Sequence, residues 1–357
     1  MMAESDEDPV LVRQRRSERF LATLDPFGSV VLVSHVNPDP DALASMLGLE
    51  ALLAERQRGK PVTITVDGMI ARAENQAMVD LLQIPLKPIN QTPIDSSTAV
   101  VMVDSQPHTG RRASEAAMPL AVLDHHETPG VLDGVQFRDI RPHFGATSTI
   151  VTGYLLEQDL AVSPRLATAL LYGIESETSG YPRESGPQDD GAMVWLFPRA
   201  DKDLLAQIQN PKLPQSYFAT FQRALASARL YHDVVVSWCG VVPQPDIIAE
   251  LADFFVRFDQ VNWAVCIGLF ENLLKVSVRV SNLGGHCGEV LRSIVDGLGS
   301  AGGHDKRAGG AILVTDRSPE AIDAMIATIR HRLLEKLQID ERDGRPLVDC
   351  ESAGQIP

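Results

Sequence analysis

The chain has 357 residues, 44% of them hydrophobic, and a formal net charge of −15. That length suggests about two domains, each able to bury a core. So acidic a surface argues against a protein that tracks along long duplex nucleic acid, but a small anionic substrate stays open because bound cations can dominate a local field.

The segment Met1 to Pro9 is acidic and has no apolar core of the signal-peptide kind, and no apolar run approaches a membrane span. The expected location is therefore the cytoplasm. Val10 to Leu24 mixes arginines with Leu11, Val12, Phe20 and Leu21, as an amphipathic helix would. Val30 to Val33 reads as a strand. The loop Ser34-His35-Val36-Asn37-Pro38-Asp39-Pro40-Asp41 follows, then a helix from about Ala42 to Arg56. The two prolines keep His35, Asp39 and Asp41 on a loop at the carboxyl end of the strand. Asp41 can also be read as the N-cap of the helix. Val62 to Val66 is a second strand, and Asn75 to Leu82 a short helix. Ala99 to Val103 is a third strand and ends at Asp104. A fourth, Leu120 to Leu123, ends at Asp124-His125-His126.

Val135 to Ile140 suits an edge strand, and helices follow from Thr147 to Gln158 and from Pro164 to Ile174, leading to Glu175 and Glu177. Strands alternating with helices point to an α/β fold with a mainly parallel sheet. Residues 191–233 read as a helical linker between a first domain, 29–190, and a smaller α/β domain, 234–338; residues 1–28 form an N-terminal extension and 339–357 a poorly ordered tail. In the second domain Trp263 to Phe270 and Leu273 to Val280 form a hairpin turning at Glu271-Asn272. Cys287 to Leu298 is helical, a glycine-rich loop runs from Gly299 to Gly310, Ala311 to Val314 is a strand, and a closing helix begins at Pro319. The four cysteines include no C-x-x-C pair, which suits free thiols rather than a thiolate zinc site.

Asp124-His125-His126 taken alone fits a capped turn with solvated histidines as well as it fits a metal site. Three strands ending in metal-ligand residue types fit separate turn explanations poorly, and in open α/β sheets that edge is where ligands bind. Carboxylates packed together without cations would repel one another. Two divalent metals, manganese before calcium given the mixed imidazole and carboxylate donors, would resolve this and activate water toward a phosphoryl group. In the second domain, glycines beside His304, Lys306 and Arg307 offer backbone N–H groups and charge to an anion. Arg279 fits a cleft-facing role and a solvated strand position equally.

These residues resemble the DHH phosphoesterase superfamily, in the branch with a DHH-associated C-terminal domain that includes RecJ-like exonucleases and nanoRNases. The likeness runs from about Val30 to Leu337 and rests on Ser34–Asp41, Val103-Asp104-Ser105, Leu123-Asp124-His125-His126 and Gly302-Gly303-His304-Asp305-Lys306-Arg307-Ala308-Gly309. It implies His35 and Asp39 on one metal, Asp41 and His125 on the other, and Asp104 bridging. It also implies His126 toward the scissile phosphate, supported by Asp124, with Gly302, Gly303, His304, Arg307 and Gly309 on the substrate across an interdomain cleft. Glu177 matches a family position that usually holds Asp.

The implied activity is metal-dependent hydrolysis of short oligonucleotides, dinucleotides or nucleoside bisphosphates. A nucleotide sensor weakened in hydrolysis by Glu177 is the first alternative, and a RecJ-type single-strand exonuclease the second. A pyrophosphatase-like role fits the glycine-rich loop less well. The expected partner is a short nucleotide rather than a membrane or long duplex, and a homodimer is left open.

Overall fold

The computed structural model describes residues 15–348, apart from 71, 108–117, 128–130, 180–184, 282–284 and 304. The chain divides into two compact units, 1–211 and 212–357.

The first unit runs α1 (Arg16–Leu24), β1 (Ser29–Val33), α2 (Pro40–Arg56), β2 (Val62–Val66), α3 (Ala73–Leu81), β3 (Leu86–Pro88), β4 (Thr98–Val103), β5 (Ala121–Asp124), β6 (Phe137–Ile140), α4 (Thr147–Glu157), α5 (Pro164–Thr178), α6 (Pro187–Leu196) and α7 (Lys202–Gln209). Its six strands are all parallel, in the order β3-β2-β1-β4-β5-β6. The central strands are apolar on both faces because both faces are covered. Val30, Leu32, Val101 and Leu123 join the larger core with α2, α4 and α5, while Val31, Val33, Val100 and Val122 enter a smaller core on the other side. The chain builds outward from β1 to β3 and then returns to place β4 on the other side of β1. That reversal opens a crevice at the carboxyl ends of β1 and β4, the usual ligand position in open α/β sheets.

Several sequence expectations need correction here. Asp39, not Asp41, caps α2: its carboxylate accepts the Ala42 N–H at 3.0 Å. Pro40 occupies the first helical turn, where its missing N–H costs nothing. Asp41 is therefore a helix residue and fully buried rather than a loop residue. α5 extends to Thr178, so Glu175 and Glu177 lie on the helix and not beyond it. The stretch 191–233 is not a separate linker, since α6 and α7 pack within the first unit.

The second unit comprises α8 (Gln215–Ser227), β7 (Arg229–Tyr231), β8 (Val234–Val241), α9 (Asp246–Phe255), β9 (Trp263–Phe270), β10 (Leu273–Val280), α10 (Cys287–Val295), β11 (Gly299–Gly303), β12 (Arg307–Leu313), α11 (Pro319–Lys336) and β13 (Arg345–Pro346). Its seven strands follow the order β11-β12-β10-β9-β8-β7-β13, with β8 and β9 parallel and the other pairs antiparallel. Leu291 and Ile294 of α10 and Leu333 of α11 fill one face, and Ala224 of α8 with Leu251 and Phe255 of α9 fill the other. The expected glycine-rich loop is largely a hairpin, with Gly302 opposite Gly309 and Gly303 opposite Ala308. A side chain on Gly299 would sit 2.2 Å from the Ala311 carbonyl, which is why that strand needs glycine there. The tail also departs from expectation, because β13 pairs with β7 and the Leu347 N–H donates to the Ala228 carbonyl. No helix among the described residues is long and apolar enough to cross a membrane.

Two glycines in the first unit should respond oppositely to substitution. A Cβ on Gly173 would lie 2.6 Å from Ser148 Oγ and 2.9 Å from Ala44 Cβ, whereas one on Gly191 meets nothing within 4 Å. Gly173→Val is expected to destabilise the protein by about 2 kcal/mol or more through overpacking. Gly191→Ala should stabilise it by roughly 0.5–1 kcal/mol through helix propensity. Denaturant unfolding of both variants measures the contrast.

Candidate metal centre

Three strand ends of the first unit deliver the polar residues. His35 follows β1. Its Nδ1 lies 3.0 Å from the Val36 carbonyl, and its Nε2 lies 3.5 Å from both Asp39 Oδ2 and Asp104 Oδ2. Asp104 follows β4 with a left-handed backbone, φ 57°. Its other oxygen, Oδ1, accepts the Thr147 hydroxyl at 2.8 Å and stands 3.5 Å from His125 Nε2. His125 follows β5, with Nδ1 3.3 Å from the Phe144 carbonyl and Nε2 3.9 Å from Asp41 Oδ2. Asp41 in turn accepts the Thr147 and Ser148 N–H groups at the start of α4, each at 2.7 Å. A helix N-terminus is a natural seat for a carboxylate.

The hydrogen-bond chemistry fixes what these imidazoles offer. A carbonyl only accepts, so the Nδ1 of His35 and of His125 each carries the proton, and in a neutral ring Nε2 holds a lone pair. Both lone pairs then face carboxylate oxygens, an arrangement that needs a cation or a proton between them. The Nε2 of His125 is buried and has no hydrogen-bond partner. Burial disfavours charge on His35, but Asp39 and Asp104 outweigh it and push that imidazole up to about 11. Burial would raise Asp39, yet His35 holds it well below the ordinary carboxylate range. Burial, then the charges of Asp104, Asp39 and Glu177, push Asp41 well up. A set of paired imidazole and carboxylate donors with an orphaned buried nitrogen fits divalent cations. Among the described residues, His35, Asp39 and Asp104 bring ligand atoms within 4.8 Å of one another, and so do Asp104, His125 and His126.

His126 is held differently. Its Nδ1 lies 2.8 Å from Asp124 Oδ1, and Gln106 Nε2 donates to Asp124 Oδ2 at 2.8 Å. Burial would raise Asp124, but the bonds from His126 and Gln106 keep it lowered and ionised. Glu177 lies outside the two compact clusters, although its charge reaches Asp41. In the second unit Arg279 is engaged by Asp253, with Nε 2.5 Å from Oδ1, and its Nη1 donates to Ser277 Oγ and the Val278 carbonyl. Arg307 is exposed and sits opposite Arg279 across the β10–β12 ladder. Gly302, Gly303 and Gly309 lie in the hairpin strands, and His304 falls outside the described residues.

Sequence reasoning missed Gln106, Thr147, Ser148 and the Phe144 carbonyl. The first stands two residues after Asp104 and could have been suspected from that proximity. Phe144 and Ser148 act on the centre's side chains through backbone atoms, which leave no side-chain signature, and Thr147 acts through its N–H and its hydroxyl together.

The fold and this cluster define an α/β protein with an Asp/His site of metal-ligand type at the switch point of a parallel sheet. Residues 29–174 match the DHH family, N-terminal domain. An uncharacterised protein of Methanocaldococcus jannaschii is 29% identical over 328 residues, which cover 88% of this chain and 65% of that protein. A probable bifunctional oligoribonuclease and PAP phosphatase, NrnA, of Streptococcus mutans is 22% identical over 162 residues, 45% of this chain and 49% of that one. The chain thus spans less than two thirds of the length of either relative. Among solved structures, an exopolyphosphatase-related protein from Bacteroides fragilis shares the fold with a TM-score of 0.70 at 17% identity, covering 90% of this chain and 97% of that chain. RecJ from Thermus thermophilus, solved in complex with Mn2+, gives 0.52 at 15% identity, covering 90% and 55%.

Cation binding by this cluster should relieve the repulsion among its carboxylates and raise stability. Adding Mn2+ to chelator-treated protein at about 100 times its dissociation constant is expected to stabilise the fold by about 2.7 kcal/mol. Thermal unfolding with and without Mn2+ measures it; an unchanged midpoint would count against a metal centre.

Proposed function

We propose that the chain is a metal-dependent phosphoesterase that hydrolyses short oligonucleotides, dinucleotides or nucleoside bisphosphates. The observation that carries this reading is Asp104, whose two oxygens each lie 3.5 Å from the Nε2 of a different histidine. His35 and Asp39 would hold one cation and His125 and Asp41 a second, with Asp104 available to both and Glu177 near Asp41. Mixed imidazole and carboxylate donors suit manganese. Such ions, when bound, polarise phosphoryl oxygens and make a nucleophile available at neutral pH.

The chain's own residues have distinct tasks in this reading. Thr147 and the α4 amides hold Asp104 and Asp41 in fixed orientations. Asp124 takes the Nδ1 side of His126 and so directs Nε2 toward the scissile phosphate, where it stabilises developing negative charge. Within the second unit, Gly302, Gly303, His304, Arg307 and Gly309 are proposed to bind an anionic group of a nucleotide. Arg279 has one N–H beyond those engaged by Asp253, Ser277 and Val278, so it contributes at most a single contact. The similarity to an oligoribonuclease and PAP phosphatase supports short nucleotide substrates, and so does a net charge of −15.

The test is purified protein with Mn2+ against a linear dinucleotide, a cyclic dinucleotide, adenosine 3′,5′-bisphosphate and inorganic polyphosphate. Nucleoside monophosphate release from at least one nucleotide is expected, falling by about 100-fold or more in Asp104→Asn. Turnover of none of them would refute the enzymatic reading.

A nucleotide-binding sensor is the second reading, favoured by glutamate at 177 where the resembled family usually holds aspartate. Glu177→Asp separates the two. A rate gain of about tenfold or more, a barrier change of roughly 1.4 kcal/mol, supports the sensor. An equal or lower rate, with nucleotide affinity measured in parallel, supports the enzyme.

A further inference from the structure

The metal-centre residues converge on one short segment, and that segment is tied down by an acid that lies outside the stretch 29–174 matched to the family. Residues 144–148 end the connection from β6 and open α4. The Phe144 carbonyl faces His125 Nδ1, the Thr147 and Ser148 N–H groups hold Asp41, and the Thr147 hydroxyl holds Asp104. Three residues within this five-residue stretch thus contact three side chains of the centre. Asp189, in the first turn of α6, grips the same segment from behind. Its Oδ2 accepts the Gly145 N–H at 2.9 Å, and its Oδ1 accepts the Thr149 hydroxyl at 2.6 Å. The Gly186 N–H adds a third bond to Oδ2 at 2.7 Å. The Asp189 side chain is fully buried.

We propose that Asp189 is a positioning residue for the metal centre: by gripping Gly145 and Thr149 it fixes the 144–148 segment that orients His125, Asp41 and Asp104. This rests on the reading of those three residues as metal ligands. A carboxylate suits the task because three donors converge on it and it can accept all three. An amide could keep all three bonds, its oxygen accepting both N–H groups and its N–H₂ donating to the Thr149 hydroxyl, whereas alanine at this position removes all three. Either end of the segment can then shift, and the imidazole and carboxylates it orients shift with it. Residues that orient metal ligands without touching the metal typically influence affinity by about 10–100-fold.

The experiment measures Mn2+ affinity directly on the full chain, by the electron paramagnetic resonance signal of free Mn2+, alongside unfolding of the metal-free protein. Asp189→Ala is expected to weaken Mn2+ binding about tenfold. Thr149→Val, which removes one bond and leaves the others, should shift affinity in the same direction by a smaller factor, and it decides the matter if Asp189→Ala does not fold. Asp201→Ala, which removes the cap of α7, serves as the comparison: it should lower unfolding resistance and leave Mn2+ affinity at the parent value. The proposal is overturned if Asp189→Ala and Thr149→Val bind Mn2+ as the parent does, or if Asp201→Ala weakens binding equally. If the parent itself takes up no Mn2+, the metal-centre reading fails and this proposal fails with it.

Discussion

The carboxylate of Asp104 stands 3.5 Å from the Nε2 of His35 on one side and 3.5 Å from the Nε2 of His125 on the other, and much of the first unit serves to hold that spacing. Parallel pairing of β1 with β4 and of β4 with β5 sets the three strand ends side by side. Backbone carbonyls take the Nδ1 protons, so the paired lone pairs point inward. Burying carboxylates is costly unless partners replace their hydration. The amides of α4 supply part of that for Asp41, and bound cations would supply the remainder.

What is legible in the sequence follows from where side chains carry the information. β1, β4 and β5 are short apolar runs, each ending within two residues of an acid or imidazole, and that pattern survives without knowledge of the fold. The start of α2 is harder to place because Pro40 reads as a helix breaker, although at the first helical position it is a helix starter. The end of α5 is obscured because Glu175, Ser176 and Glu177 interrupt the apolar spacing. The helix continues through them, and buried Thr178 returns its hydroxyl to the Ile174 carbonyl. The hairpin of β11 and β12 resembles a loop because glycine-rich strands carry no alternating side-chain pattern. β3 spans only Leu86 to Pro88, too short for any periodicity.

The second unit shows a related economy. Gly302 and Gly309 face each other across the β11–β12 ladder, and a side chain on either would meet nothing within 4 Å. Their lack of side chains is therefore not required by packing, unlike that of Gly299. Gly302 on the edge strand β11, with exposed Arg307 on neighbouring β12, leaves backbone beside a positive charge without side-chain cover. At the opposite edge β13 covers β7, so a segment expected to be loose tail instead limits exposure of an edge strand.

The left-handed backbone at Asp104 bears on how the chain tolerates change. Apart from glycine, that conformation is visited chiefly by asparagine and aspartate, and of these three only aspartate carries a charge. Backbone and chemistry thus select the same residue at 104 and leave almost no neutral drift there. Position 177 is under no such double constraint, because an α-helix accommodates glutamate at least as readily as aspartate. Variation in the acidic set of this site is accordingly to be expected on α5 rather than after β4, and this chain carries its glutamate at the permissive position.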